Sequence, residues 1–388
     1  MKYYFAVICP FLILNVFALD LQVKKNEFTV QTKRLSATVR DGNIIELRDI
    51  QQGIFWCESN LADYGIPSGL GVLSDIPNLR KTHIPWGEPT LNQHLSLDTP
   101  LLNYYKPTEQ SKMSVRKEGD KILAIWQGLS NDIKTLENAE LRIEFGEAKD
   151  GALTIRTAGI NPKKNVFGIP LPLINIPNHV KFIFANFGGM EYDGFGTPGL
   201  MPFGGAPFVE APLMILQQEG GNSLGLWMED PSIRPFYVFF RRSGKSISLA
   251  MENLALMPFE NNVDFFSPEL KLDVFKGDWK TAATPYRDWY REYFKNELAI
   301  RDNVKWVDQI KAIFDIYMNV PDDNTLSSMA ENYPASKVMF QVWNARAPSF
   351  DRELPDWTPR EGYIDGVSRL HKYGFKVMAY VNTYCANY

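Results

Sequence analysis

Asp315, Trp343, Arg346, Asp351, Asp356 and Asn382 are the residues of this sequence whose types and positions suit one common chemistry. Each ends or follows one of three short apolar runs, at residues 311–318, 337–343 and 376–382. Tyr317, Asn344 and Tyr384 stand beside them, and the loop after the second run adds Arg352, Glu353 and Trp357. Carboxylates and amides hydrogen-bond neighbouring hydroxyls, and aromatic rings stack on the apolar face of a sugar, so the set suits a polyhydroxylated ligand. Each residue also has a purely structural reading. Asp351 and Asp356 read equally as loop caps, Trp343 as core, and Asn382 as a turn residue at a strand end.

The elements that must position these residues read as β-α-β-α-β. The three runs are rich in Val, Ile, Phe and Tyr and alternate with helical segments. Crossovers of that length imply parallel strands, covered on both faces and so nearly continuous in hydrophobicity. The second helix is the clearest: Tyr363, Ile364, Val367 and Leu370 form an apolar stripe, and Gly374 stands where a helix end needs positive φ. Residue His371 falls on its surface. If the strands begin a β/α barrel, the loops after their C-terminal ends build the site. A doubly wound sheet with no role in sugar binding is the competing architecture.

Upstream, the pattern is strand after strand. Residues 34–40 alternate with period two, Asp41-Gly42-Asn43 is a turn, and residues 44–48 continue the ladder. Residues 113–116, Glu118-Gly119-Asp120 and residues 122–126 repeat the device. Further strands are expected at 139–145, 152–157, 212–217, 223–228, 236–241, 246–251 and 270–275, which together indicate a large antiparallel sandwich. Between the two regions, Trp279, Tyr286, Trp289, Tyr290, Tyr293 and Phe294 fall at helical spacing, with Pro285 expected near the helix start. A helix so aromatic is expected to pack between domains.

Composition sets outer bounds. The chain has 388 residues, a net charge of -4 and 13% aromatic residues including 9 Trp, enough for large cores. No basic stripe supports a nucleic-acid partner or an anionic membrane surface. Residues 1–18 carry Lys2, an apolar run from Tyr4 to Phe17, and Val16-Phe17-Ala18 at the end, the pattern of a secretory signal peptide. The run is too short for a membrane-spanning helix with its usual flanks. The protein is therefore expected to be secreted or periplasmic, with no membrane association after signal cleavage. Cys57 and Cys385 would remain, far apart in sequence and read as free thiols.

Two motif matches fail on context. Gly194-Phe-Gly196-Thr-Pro-Gly199 fits G-x-G-x-x-G, but Pro198 and Pro202 forbid the helix that a dinucleotide site opens. Gly221-Asn-Ser223-Leu-Gly225 fits the nucleophile elbow, but residues 219–222 read as a hairpin turn, which makes Ser223 a turn residue. The four histidines show no metal-ligand spacing, so no metal and no cofactor is expected.

The C-terminal motifs carry a resemblance. Trp343-x-x-Arg346-x-x-x-Phe350-Asp351, then Leu354-Pro-Asp-Trp-x-Pro359, then Gly362-Tyr-Ile-Asp-x-Val-x-Arg-Leu-His371-x-x-Gly374-Phe-Lys-Val-Met-Ala-Tyr-Val-Asn382 resemble the start of secreted retaining α-glycosidase barrels. The upstream Leu35-Ser-Ala-Thr-Val-Arg-Asp-Gly42-x-Ile-x-Glu-Leu47 resembles the galactose-mutarotase-like sandwich of the same enzymes, and the aromatic helix resembles their connector. The resemblance implies a multi-domain β + α/β chain. Its parts are a signal peptide at 1–18, an antiparallel β-supersandwich at 19–276, a connecting helix at 277–300, and the first three β/α units of an incomplete TIM barrel at 301–388. It implies a glycoside hydrolase acting on O-glycosidic bonds of oligo- or polysaccharides through two carboxylic acids. In the resembling families those acids follow the fourth and a later strand, so both are expected beyond the chain and neither catalytic residue is identified. Asp315, Trp343, Arg346, Asp351, Asp356 and Asn382 are then substrate-binding, and carbohydrate is the partner. The alternative is a non-catalytic carbohydrate-binding protein built on the sandwich. The signal pattern predicts that N-terminal sequencing of exported protein begins near Leu19; exported protein that retains Met1 would contradict it.

Overall fold

The computed structural model describes residues 19–58, 68–73, 102–186, 190–192, 200–203, 209–232, 234, 236–243, 246–255, 261–301, 305–317, 319–347 and 356–380. The signal-like residues 1–18, the glycine-rich residues 194–199, Asp351, Asn382, Tyr384 and Cys385 lie outside them. The fold is mostly antiparallel β-sheet with few helices. The chain divides into two compact units, the first holding the described residues up to Arg287 and the second those from Asp288 onward.

The first unit contains two large sheets. In the first sheet the order is Asp20–Lys24, Glu27–Gln31, Leu35–Arg40, Asn43–Asp49, Val166–Pro177, Ser246–Leu254, Phe236–Ser243 and Leu200–Phe203. Phe55–Cys57 pairs with Asn43–Asp49, and the paired strands Leu70–Leu73 and Leu102–Tyr105 join Val166–Pro177. The second sheet runs Met190–Tyr192, Lys181–Asn186, Val209–Gln218, Asn222–Met228, Leu270–Lys276, Leu153–Ile160, Thr135–Glu147, Lys121–Ser130 and Lys112–Glu118, with Asp264–Phe266 on Leu153–Ile160.

Alternation explains why the sheets stack. Leu35, Ala37 and Val39 are wholly buried while Ser36, Thr38 and Arg40 are not. Their inward set meets that of Lys121–Ser130 and Thr135–Glu147 in one apolar cluster. Phe28 of the first sheet lies 5.7 Å from Phe145 at 76° and 6.1 Å from Trp126, both on the second. Edge-to-face contacts of this kind add about 0.5–1.5 kcal/mol beyond burial. The hairpin after Leu35–Arg40 turns through Asp41 at φ 50° and Gly42 at φ 77°, the left-handed pair a two-residue turn demands. Arg34 joins the second sheet through an ion pair of 2.8 Å with buried Asp273 and a hydrogen bond to the Asp150 carbonyl. Cys57 is a free buried thiol, and burial pushes its ionisation well up.

Two expectations for this unit change, and one strand comes without a sequence signal. Ser223 is not a turn residue: it is the second residue of strand Asn222–Met228, fully buried, and donates to the Gly277 carbonyl at 2.9 Å. The strand continues where a nucleophile elbow would enter a helix. Pro285 lies well inside helix Trp279–Tyr293, because Asp278 caps the helix seven residues earlier, its Oδ1 accepting from Lys280 N at 3.1 Å. The Val166–Pro177 strand sits mid-sheet despite Pro170 and Pro172. Its side opposite Ser246–Leu254 pairs only at Val166, Gly168 and Leu173 among the described residues, so both prolines fall where no ladder partner stands.

The second unit holds a three-stranded parallel sheet, ordered Ala312–Ile316, Val338–Val342, Lys376–Ala379. Helix Asp323–Asn332 joins the first two strands and Tyr363–Lys372 the second and third. Asp322 caps the first helix, accepting from Thr325 N at 2.8 Å. Leu326 and Leu370, one from each helix, bury against Val338, Phe340 and Phe375, with Phe314, Ile316 and Val377 packed alongside. Both helices therefore cover the same face of the sheet. Gly374 ends the second helix at φ 88°. Ile364 departs from the expected stripe and is exposed. It lies about 120° round the helix from Leu370, while Gly366 takes the inward place, tight against Val320.

Phe340 stacks on Phe314 at 5.6 Å and meets Phe375 edge-on at 5.2 Å, at the centre of this small core. Phe340→Ala is expected to destabilise the unit by about 3–5 kcal/mol. Hydrogen exchange at Ala312–Ile316, Val338–Val342 and Lys376–Ala379 should accelerate accordingly; unchanged protection there would contradict the assignment of this core.

Candidate functional site

Parallel pairing brings the C-terminal ends of the three strands to one edge. The ladder continues past the strands: Trp343 N donates to Ile316 O at 3.0 Å, Asn344 N to Tyr317 O at 3.0 Å, and Tyr380 N to Val342 O at 2.8 Å. Tyr317, Trp343 and Tyr380 thus leave the sheet side by side. The Trp343 ring stacks on Tyr380 with centroids 4.4 Å apart and planes at 23°. Both rings are half-buried, whereas Tyr317 is exposed.

Asp315 lies one residue before the end of its strand and is exposed. Because Phe314 and Ile316 face the helices, alternation places Asp315 on the opposite face, in register with Gln341 and, beyond it, Met378. Ile313, Asp315 and Met378 are the exposed positions on that face.

Arg346 and Asp356 are occupied in shaping the second loop. Arg346 Nη1 donates to the Asp356 carbonyl at 2.7 Å, and its guanidinium lies 5.2 Å from the centre of the Trp357 ring. Ala347 N to Thr358 O at 2.7 Å and Arg360 N to Ala345 O at 2.9 Å zip the two sides of the loop together around the Arg346–Pro359 bridge. Asp356 Oδ1 accepts from Thr358 N at 2.9 Å, and this backbone hydrogen bond holds its carboxyl below the usual range. The loop-cap reading of Asp356 thus describes what its side chain does here. Trp357 remains exposed at the loop surface.

Of the six expected site residues, Trp343 stands at the strand-end edge, Asp315 lies on the open face of the neighbouring strand, Arg346 and Asp356 share the clamped loop, and Asp351 and Asn382 fall outside the described residues. Tyr380 was read only as part of the third strand. Its position in register after Val342, one residue beyond Ala379, is the signal that pairs it with Trp343. Together the edge offers stacked aromatic faces with a carboxylate and an amide nearby, which can hold a flat apolar face and hydroxyl groups at once. Among the described residues no group of three or more His, Cys, Asp or Glu is arranged to hold a metal ion.

Comparison with known proteins agrees with this architecture. The sequence pattern of one protein family, described as a domain of unknown function (DUF6259), matches residues 267–387. Among curated protein sequences nothing matches. The structure of the alpha-N-acetylgalactosaminidase NagBb from Bifidobacterium bifidum in its GalNAc complex superposes with a TM-score of 0.54 at 10% identity, covering 93% of this chain and 58% of that one. Its complex with Gal-NHAc-DNJ gives a TM-score of 0.54 at 11% identity, with the same coverage. Galactose 1-epimerase from Lactobacillus acidophilus NCFM covers 67% of this chain and 98% of that one at 9% identity; its TM-score of 0.38 is too low to carry weight. The chain therefore has a glycosidase-like fold and spans a little under three fifths of the length of the NagBb structures.

The Arg346 clamp has a direct consequence. A cation–π contact and a charge-assisted hydrogen bond together contribute about 1.5–2 kcal/mol to loop order, and 1.4 kcal/mol is tenfold in an equilibrium. Limited proteolysis of Arg346→Ala between residues 347 and 358 should run about tenfold faster than in the parent chain. Equal rates would show that the clamp does not hold the loop.

Proposed function

We propose that this chain is the N-terminal part of an exported glycoside hydrolase that binds carbohydrate at the C-terminal edge of its parallel sheet. The observation that carries the reading is the convergence of Tyr317, Trp343 and Tyr380 on that edge, with Asp315 on the adjoining open face. Helices Asp323–Asn332 and Tyr363–Lys372 lie on one face of the sheet, as in each successive unit of a (β/α)8 barrel, which supports reading 301–388 as the first three units of one. The fold shared with a protein named as an alpha-N-acetylgalactosaminidase supports the reaction class and makes N-acetylgalactosamine and galactose the first sugars to try.

In this reading residues 1–18 direct export, 19–276 form a galactose-mutarotase-like sandwich, 277–300 connect, and hydrolysis runs through two carboxylic acids outside residues 1–388. Trp343 and Tyr380 present the stacking surface, and Asp315, Asp351 and Asn382 engage hydroxyls. Arg346 and Asp356 act by holding the loop that presents Trp357.

Titration with N-acetylgalactosamine, galactose and glucose, followed by calorimetry, tests the site. Trp343→Ala is expected to weaken the preferred sugar about tenfold, since ring contacts are worth about 0.5–1.5 kcal/mol. Asp315→Asn should weaken it less, because an amide keeps one acceptor. Affinity unchanged in Trp343→Ala and Asp315→Asn alike would remove the strand-end edge from the site.

A further inference from the structure

Among the described residues Glu252 is the carboxylate that is wholly buried and carries an oxygen, Oε1, with no hydrogen-bond partner. It lies on Ser246–Leu254 in the first unit, far in sequence from the strand-end residues. Ile247, Leu249 and Met251 of that strand point into the sandwich core, so Glu252 stands on the outer face of the sheet. Its other oxygen, Oε2, accepts from the Tyr104 hydroxyl at 2.9 Å.

Tyr104 belongs to the outermost strand of an attached pair. Leu70–Leu73 and Leu102–Tyr105 pair with each other; among the described residues their ladder to the sheet is confined to Val72–Val166 and Gly71–Gly168, while Leu70, Val72 and Tyr105 pack into the core. To reach Glu252, Tyr104 passes over Gly71, and Gly168 lies against the same carboxyl. A Cβ on Gly71 would sit 3.2 Å from the Tyr104 ring and 3.3 Å from Oε1, and one on Gly168 would sit 2.8 Å from Oε1. The glycine backbones therefore pack directly on the acid.

We propose that Glu252 and Tyr104 form a proton-operated latch that holds the strand pair Leu70–Leu73 and Leu102–Tyr105 on the sheet while Glu252 is protonated. A neutral acid tolerates burial with one hydrogen bond; a buried carboxylate with one hydrogen bond does not, and opening the strand pair would hydrate it. Burial raises the acid from its ordinary 4.5 to about 8, outweighing the Tyr104 hydrogen bond, which pulls it down. The group on Leu102–Tyr105 that faces it is Tyr104; Leu70–Leu73 contributes Gly71, Val166–Pro177 contributes Gly168 and Pro170, and Tyr237 of Phe236–Ser243 is its register partner. In the backbone register of that last strand, Arg241 stands opposite Ser248, four residues along from Glu252. Because the acid is weaker closed than open, the latch acts fully below about pH 4.5, loses strength as pH rises, and is spent by about pH 8.

Hydrogen exchange of the full chain from pH 5 to 9, corrected for the intrinsic rate, tests this. Amide protection in Leu70–Leu73 and Leu102–Tyr105 should fall by up to about tenfold per pH unit and level off above about pH 8. Glu252→Gln, which keeps an acceptor for Tyr104, should abolish the slope, and Tyr104→Phe should lower protection at pH 5. A wild-type slope retained in Glu252→Gln, or unchanged protection at pH 5 in Tyr104→Phe, would overturn the latch.

Discussion

Three strands hydrogen-bonded in parallel must all end at the same edge, and the candidate site follows from that constraint. Ile316, Val342 and Ala379 are consecutive partners across the sheet, so the residues that leave it are neighbours whatever their distance in sequence. The helices enforce the arrangement. Leu326 and Leu370 bury against one face, and the small core they share with Phe340 and Phe375 fixes which residues point to the other. Asp315 is exposed because Phe314 and Ile316 are claimed by that core.

The two units treat carboxylates in opposite ways. In the second, Asp315 and Asp356 stay at the surface, and a backbone hydrogen bond from Thr358 holds the Asp356 carboxyl below its usual range. In the first, Glu252 is enclosed by sheet and glycine, so its charge carries a desolvation penalty that one tyrosine hydroxyl does not offset. Surface carboxylates suit exchange with a soluble ligand. An enclosed one couples its proton to the backbone packed around it.

Much of the first unit was legible because its strands bury one face: Leu35, Ala37 and Val39 announce themselves by alternation, and Asp41-Gly42 marks the turn between them. Where both faces are buried the signal fails. Ser246–Leu254 is buried at every position, so Glu252 reads as an outward polar residue until its cover is seen. Val166–Pro177 was hidden by its prolines, which are tolerated through a gap in pairing on one side. At the site, Trp343 and Asp315 could be found from the strand pattern, whereas the role of Arg346 depends on a contact with Asp356 and Trp357 across a loop, and Tyr380 on register between strands. Such contacts have no local sequence period.

A crystal structure of the chain soaked with N-acetylgalactosamine or galactose decides whether the strand-end edge holds sugar. A sugar ring should lie against the Trp343–Tyr380 stack, with hydroxyls turned toward Asp315 at the C-terminal edge of the parallel sheet. A sugar bound on the sandwich unit with that edge empty would contradict it.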